Sequence, residues 1–310
     1  MTKIQSGIKV TAPVTVADLN LGYDIISVAL DKTAVEIVIY KSEVPGLRIK
    51  SRSGDKKQLS TEVTNNIAAL SALNVWKYLK DNFSVESNIG IEIEIRIKIP
   101  FNSELGIFES LATAGAYAMN AFFGTPLDKK ELVPIITFSA SSLDLKLNYA
   151  SVVSSLMGSC MLVRDIETYD FFRIPVPRGL FFTLLIPEKL NFYKTENSTN
   201  ELLKQTANLG SLIFAMYNTD LNLISRSLNS SLSNNLFFEI FTSFNEIKST
   251  LYSKTLSFGS LRHSNILFIL SPNSIIAEEI QHLTTEHLNK NKVKFQSFIS
   301  SVNYEGCEIR

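Results

Sequence analysis

Hydrophobic and polar residues alternate without a break from residue 88 to residue 100 (NIGIEIEIRIKIP). Ile89, Ile91, Ile93, Ile95, Ile97 and Ile99 fall on one face, and Glu92, Glu94, Arg96 and Lys98 on the other. A period of two is that of a half-buried antiparallel strand. The runs at 8–12, 34–40 and 47–50 read the same way, so the first hundred residues are expected to be mostly sheet. One helix interrupts them over 65–81, where Ile67, Leu70, Leu73, Trp76 and Leu79 recur at helical spacing. Pro100 closes the long strand. The small, helix-favouring residues of 110–123 (SLATAGAYAMNAFF) then predict a closely packed helix, stopped by Gly124 and Pro126. A further helix over 128–139 opens on Asp128 with Glu131 three residues later, the spacing of a capping box.

From residue 158 the pattern restarts. Strands are predicted at 160–164 and 181–187, and helices at 198–217, 220–230 and 236–252. A strand at 265–270, a helix at 274–289 and a strand at 293–302 follow. This order predicts an α/β sandwich with helices on one side of an antiparallel sheet. The 310 residues suit two domains of about 150 residues. A boundary within 155–178 divides the chain into 1–157 and 158–310.

Composition narrows the chemistry. The 30 Lys and Arg balance the 30 Asp and Glu, so no excess positive field exists to hold nucleic acid or an anionic membrane, and neither is expected as a partner. Three histidines and two cysteines are too few for a cysteine-rich zinc site or a disulfide framework, which fits a reducing, cytoplasmic setting. No signal-like start is visible, and the apolar stretch at 179–187 is far shorter than the roughly 18–20 residues that cross a bilayer.

The strand-to-helix junction at 99–112 (IPFNSELGIFESLA) is the most suggestive segment for function. A strand, a glycine-containing turn and a helix start can hold phosphate on free backbone N–H groups. Only one glycine is present, and Ile107 and Phe108 follow it, so the residues by themselves favour an ordinary strand–loop–helix connection. Glu278, His282 and Glu286 share one helical face and read as a solvated surface rather than a metal site. Cys160 reads as a core thiol, and His263 as a residue of a surface turn.

Taken in order, the segments resemble homoserine kinase of the GHMP family of small-molecule kinases almost end to end. IKVTAPVTVADLNLGYDIISVAL (8–30) is similar to that family's first motif, Ala-Pro, Ser/Thr-x-Ala-Asn-Leu, then Gly-Phe-Asp. Residues 99–134 occupy the place of the phosphate loop, its helix and the Gly-x-Pro-Leu-x-Lys-x-Glu-Leu connection. NYASVVSSLMGSCMLVRD (148–165) parallels the stretch His-Ala-Asp-Asn-Val-Ala-Pro, and 220–228 and 256–270 follow in order. The resemblance implies an α+β, GHMP-kinase-like two-domain fold. Its N-terminal domain (1–157) would be of the ribosomal S5 domain 2-like type, its C-terminal domain (158–310) ferredoxin-like, with a ligand cleft between them.

The residues that carry the family's chemistry differ. Where the family has Gly-Leu-Gly-Ser-Ser-Ala, this chain has Glu104, Leu105, Gly106, Ile107, Phe108 and Glu109, followed by Ser110. The two carboxylates would repel a triphosphate, and the serine hydroxyls that contact phosphate and magnesium are replaced by bulk. The acid expected near 138–140 to hold magnesium is replaced by Phe138, Ser139 and Ala140, so no metal ligand is assigned. The family's catalytic His and Asp-Asn positions fall on Asn148, Ala150 and Ser151. Its late glycine-rich loop falls on Leu261, Arg262, His263, Ser264 and Asn265, and a carboxylate-clamping arginine on Phe237. The resemblance leaves Asn65 near the nucleotide, and Asp18, Asp24, Lys194 and Arg226 at substrate positions.

The expectation is a homoserine-kinase-like protein impaired in catalysis, with a scaffold or regulatory role, as a homodimer or paired with an active paralogue. The alternative is a working kinase that uses Mg-ATP to phosphorylate L-homoserine in threonine biosynthesis. A third is a small-molecule sensor.

Overall fold

The computed structural model describes residues 6–17, 19, 21, 24–101, 103–189, 199–229, 242–261 and 266–310. Two sheets organise them. The first is built from β1 (Gly7–Ala17), β2 (Ile26–Ser42), β3 (Gly46–Ser53) and β4 (Gly90–Ile97), with β5 (Cys160–Asp165), β6 (Asp170–Ile174) and the C-terminal β11 (Glu308–Ile309). Its order is β11-β1-β2-β4-β3, and β5 pairs with the first part of β2 and carries β6 at its edge. The alternating isoleucines lie in β4 as expected. That strand is antiparallel to β2 but parallel to β3, because helix α1 (Ile67–Phe83) carries the chain between β3 and β4. The run at 34–40 belongs to a longer strand that begins at Ile26, and β6 is an additional strand.

Three further helices pack on this sheet: α2 (Ile107–Phe122), α3 (Lys129–Ser141) and α4 (Tyr149–Met157). Small side chains let α1 and α2 meet closely, and a Cβ on Gly115 of α2 would come 2.0 Å from the Ala68 carbonyl oxygen of α1. The capping box of α3 forms, with the Asp128 N–H donating to Glu131 Oε2 at 2.7 Å.

The second sheet has the order β10-β7-β9-β8, all antiparallel, from β7 (Phe181–Pro187), β8 (Ser257–Ser260), β9 (Leu267–Ser271) and β10 (Phe295–Ser301). Helices α5 (Thr199–Asn218), α6 (Leu221–Leu228) and α7 (Lys248–Lys254) fall between β7 and β8, and α8 (Ser274–Lys290) between β9 and β10. This is the βαββαβ arrangement of a ferredoxin-like unit. The chain passes from the first sheet to the second between Ile174 and Phe181, since β5 and β6 hydrogen-bond into the first sheet. The last residues also return to it: β11 pairs with β1, and the Asn303 N–H donates to the Ala29 carbonyl at 2.9 Å. The helix expected at 236–252 is described only from residue 242, as a 3-10 segment followed by α7.

No described helix is long and apolar enough to cross a membrane. Glu278, His282 and Glu286 are exposed on α8, and among the described residues no group of three side chains is placed to hold a metal.

Candidate functional site at the start of helix α2

A bulge in β1 shapes the site. Pro13 has no N–H to give to a ladder, and the β1–β2 register shifts on both sides of it. Its carbonyl is left for another donor, and the Ser110 hydroxyl of α2 supplies one at 2.8 Å. Two residues on, the Thr15 N–H donates to the Leu105 carbonyl at 3.2 Å. The loop before α2 is thus held on β1.

Gly106 is the N-cap of α2, with φ +66° and no side-chain cap. A Cβ there would sit 1.8 Å from Thr15 Oγ1, so both the left-handed backbone and the approach of Thr15 require glycine. Glu104 is also left-handed, at φ +48°. Leu105 and Ile107 point into the core; Ile107 therefore does not fill the outer side of the loop, as the sequence alone suggested. Phe108 is the outward ring, packed edge-on against Phe101 with centroids 5.5 Å apart.

Glu109 is the more consequential residue. It lies in the first helical turn and is only 4% exposed. Its Oε1 accepts from the Asn148 N–H at 2.9 Å, and its Oε2 is 3.8 Å from the point a Cβ on Gly106 would occupy. The carboxylate therefore lies at the end of α2 where the helix dipole favours negative charge. Asn148 in turn caps α4, accepting from the Ser151 N–H at 2.7 Å, and its Nδ2 donates to Asp24 Oδ1 at 2.6 Å. Asp24 is exposed, with φ +65°. Glu109, Asn148 and Asp24 form one connected polar chain beside the loop.

Other expected site residues lie elsewhere. Ala150 is buried under α4 with Val153, Met161 and Val163. Ser151 is buried too, its hydroxyl 3.3 Å from that of Ser27, which also accepts from Ser154 at 3.0 Å. Asn65 stands on the 3-10 turn before α1 and donates to Glu62 at 2.7 Å, exposed to solvent. Arg226 is exposed on α6, and no hydrogen bond or ion pair among the described residues joins it to the α2 cluster. Phe138 is exposed on α3, while Ser139 gives its hydroxyl back to the Ile135 carbonyl. Asp18, Lys194, Phe237 and Arg262 to Asn265 lie outside the described residues.

Sequence reasoning missed Thr15 and Ser103. Both are buried, and neither hydroxyl has a hydrogen-bond partner among the described residues. Their signal lay in the segment only as ordinary polar residues, since the bulge that brings Thr15 under Gly106 is a tertiary feature. Burial pushes the Cys160 thiol up to about 12 and the Cys307 thiol up to about 11, so neither is poised as a nucleophile.

No family model matches the chain. It is similar to a homoserine kinase of Chloroherpeton thalassium, 24% identical over 96% of this chain and 98% of that protein. A homoserine kinase of Methanococcus vannielii is 27% identical over 71% of this chain and 72% of its own length. Among solved structures, the homoserine kinase of Cytophaga hutchinsonii superposes with a TM-score of 0.88 at 25% identity, covering 100% of this chain and 99% of that one. The L. major mevalonate kinase shares the fold at a TM-score of 0.68, 14% identity and 99% coverage of each chain. In sequence the chain is similar to homoserine kinases, and its fold matches that of the GHMP-kinase structures.

Proposed function

We propose that this chain is a homoserine-kinase-like protein in which phosphoryl transfer is impaired, and that it acts as a scaffold or regulatory subunit. The observation that carries the reading is the buried carboxylate of Glu109 at the start of α2, bonded to the Asn148 N–H. Its Oε2 lies 3.8 Å from the position a Cβ on the N-cap Gly106 would take, so its charge stands at the positive end of the helix dipole, which a phosphate at the helix start would also use. The loop's other side chains do not fit a magnesium-bound triphosphate either. Ile107 and Phe108 have no polar oxygen, and Ser110 spends its hydroxyl on Pro13. Losing a single donor to developing charge lowers a rate by roughly 10²–10³, so the combined changes are enough to bring turnover near background.

A second reading is a working kinase forming O-phospho-L-homoserine from Mg-ATP, in the cytoplasm and within threonine biosynthesis. Two observations favour it: the near full-length similarity to homoserine kinases, and the unpartnered buried hydroxyls of Thr15 and Ser103 beside the loop.

Thermal melts with and without Mg-ATP, ADP and L-homoserine separate the readings. A ligand at about 100 times its dissociation constant adds about 2.7 kcal/mol, which is plain in a melting curve. The impaired reading expects no shift with nucleotide and no ADP release dependent on homoserine. A clear shift with Mg-ATP accompanied by such release rejects it, and a shift with another metabolite alone moves the reading to a sensor.

A further inference from the structure

The sheets leave several strand edges open, and these are not guarded alike. The edge strand β3 carries Arg48, Lys50 and Arg52, and its pairing with β4 slips between Ile49 and Ser51. β6 carries Asp170 and Arg173, and β8 is four residues long. Charge, irregularity and shortness keep a sheet edge from pairing with another chain. β10 has none of them. Its seven residues, FQSFISS, carry no charge and no proline, and its pairing with β7 is regular. The Glu188 N–H donates to the Lys294 carbonyl at 3.0 Å, so in this register Lys294, Gln296 and Phe298 are the residues that bond β7. The main-chain groups of Phe295 and Ser297 therefore point away from the sheet. Pro187, opposite Phe295, has no N–H to give, which agrees. Among the described residues no hydrogen bond takes up these outward groups, and Val302 bridges Leu30 of β2 only past the far end of the strand.

This open edge lines one side of a groove of about 780 Å³, and α8 lines the other. The helix runs back along the strand: Gln281 donates to the Ser297 hydroxyl at 2.8 Å, and Asn289 stands near the turn that leads into Phe295. Gln281, Thr285 and Asn289 line the groove at intervals of four residues, about 6 Å apart along the helix. Alternate residues of a strand repeat at about 6.6–6.8 Å, so an added strand sets every second side chain beside one of them. The helix wall is polar and uncharged up to the turn, where the groove becomes basic. There Lys290 lies 3.8 Å from Glu246 and Lys294 3.9 Å from Glu188, while no ion pair among the described residues joins Lys292 to an acid. Residues 290–303 contain no acid either, so β10 of a second copy has nothing to set against Lys292. We infer that this groove binds an extended peptide segment of another protein, added as a strand on β10, with an acidic residue of the segment at Lys292. Main-chain bonds to Phe295 and Ser297 supply the affinity, and α8 and Lys292 the selectivity. The free edge is short, so binding is weak, with a dissociation constant of roughly 10–100 µM. The inference does not depend on whether phosphoryl transfer survives.

A random heptapeptide library displayed on phage and selected on the immobilised full chain tests this, with the enriched sequences then synthesised and titrated by fluorescence polarisation. The expected winners are free of proline, rich in β-branched residues and acidic at one end. Ser297→Pro removes an outward N–H and leaves the β7 ladder intact, and is expected to weaken their binding roughly tenfold or more. Ser297→Ala loses the Gln281 bond but keeps that N–H, and is expected to bind like the wild type. Lys292→Glu is expected to weaken acid-ended peptides about threefold or more and to spare neutral-ended ones. The same tenfold loss is expected when alternate amides of a winning peptide are N-methylated, a readout that does not rely on any variant folding. No enrichment over the bare support overturns the inference, as do winners indifferent to both Ser297→Pro and N-methylation. Equal losses from Ser297→Ala and Ser297→Pro overturn the added strand. A synthetic peptide of residues 293–300 that binds as tightly as the winners makes a second copy the occupant, and overturns the assignment to another protein.

Discussion

Helices α1 and α2 lie against each other, yet they begin in opposite ways. At α1 the Asn66 side chain accepts from the N–H groups of Ala68 and Ala69, at 3.1 and 3.3 Å, and its own amide donates to the Ser60 carbonyl. The start is closed by one local side chain. At α2 the cap is a left-handed glycine with no side chain, pressed against Thr15 of β1, and the nearby carboxylate of Glu109 is anchored by Asn148 of another helix. The first arrangement needs only neighbouring sequence, and the second needs three separated segments. A helix start closed locally serves stability. One assembled from distant strands and helices depends on tertiary packing, and here the carboxylate of Glu109 lies beside it.

The largest expected effect tests that construction. Gly106→Ala must hold an alanine in a left-handed conformation and push aside Thr15, at an expected cost of about 3 kcal/mol by urea denaturation. Adding Thr15→Ala should recover the part due to the clash and leave about 1 kcal/mol of backbone cost. A neutral Gly106→Ala would mean that α2 starts like any other helix, and the contrast would collapse. Next, Glu109→Ala leaves the buried Asn148 N–H without its acceptor, an expected loss of about 1–3 kcal/mol. Glu109→Gln keeps an amide oxygen there and is expected to lose less. At α1, Asn66→Ala removes an ordinary cap, at about 1 kcal/mol; a larger loss than at Glu109 would reverse the ranking of the two starts.

The smallest effect is expected away from both helices. On the polar face of the first sheet Glu36 bonds Lys9 and Arg96, each at 2.8 Å, and Glu94 bonds Arg96 at 2.7 Å and Lys50 at 3.2 Å. Burial alone would raise both carboxyls. The bonds from Lys9 and Arg96 to Glu36, and from Arg96 and Lys50 to Glu94, outweigh it and hold both below their ordinary value of 4.5. Because the folded values are the lower ones, their contribution to stability is complete above pH 4.5 and is lost as pH falls through those values. Denaturation midpoints measured down the acid limb should fall more steeply for the wild type than for Arg96→Met. The partners are partly exposed and screened, so the difference is expected to be modest.

The alternating isoleucines of 89–99, the helical spacing in α1 and the Asp128–Glu131 pair are local patterns, and each was readable because a neighbour a few residues away completes it. So was the order of elements that gives the ferredoxin-like second sheet. What escaped was set at a distance. Periodicity does not reveal that β4 lies parallel to β3, that β5 and β6 extend the first sheet, or that the C-terminal residues return to β1. The same limit held at the site. Ile107 looked like an obstruction but is core, and Glu109 looked like a surface repulsion but is a buried hydrogen-bond acceptor.

The chain's residues alone were enough for the α+β fold class and for the order of most of its strands and helices. Those are statements about residue type and spacing. Folding settled which side chains meet: a proline bulge in β1 places Thr15 under Gly106 and leaves a carbonyl for Ser110, and the cap of α4 aligns Asn148 between Glu109 and Asp24. Direction and contact across more than a hundred residues of chain depend on the packing of whole elements, and no local period encodes them.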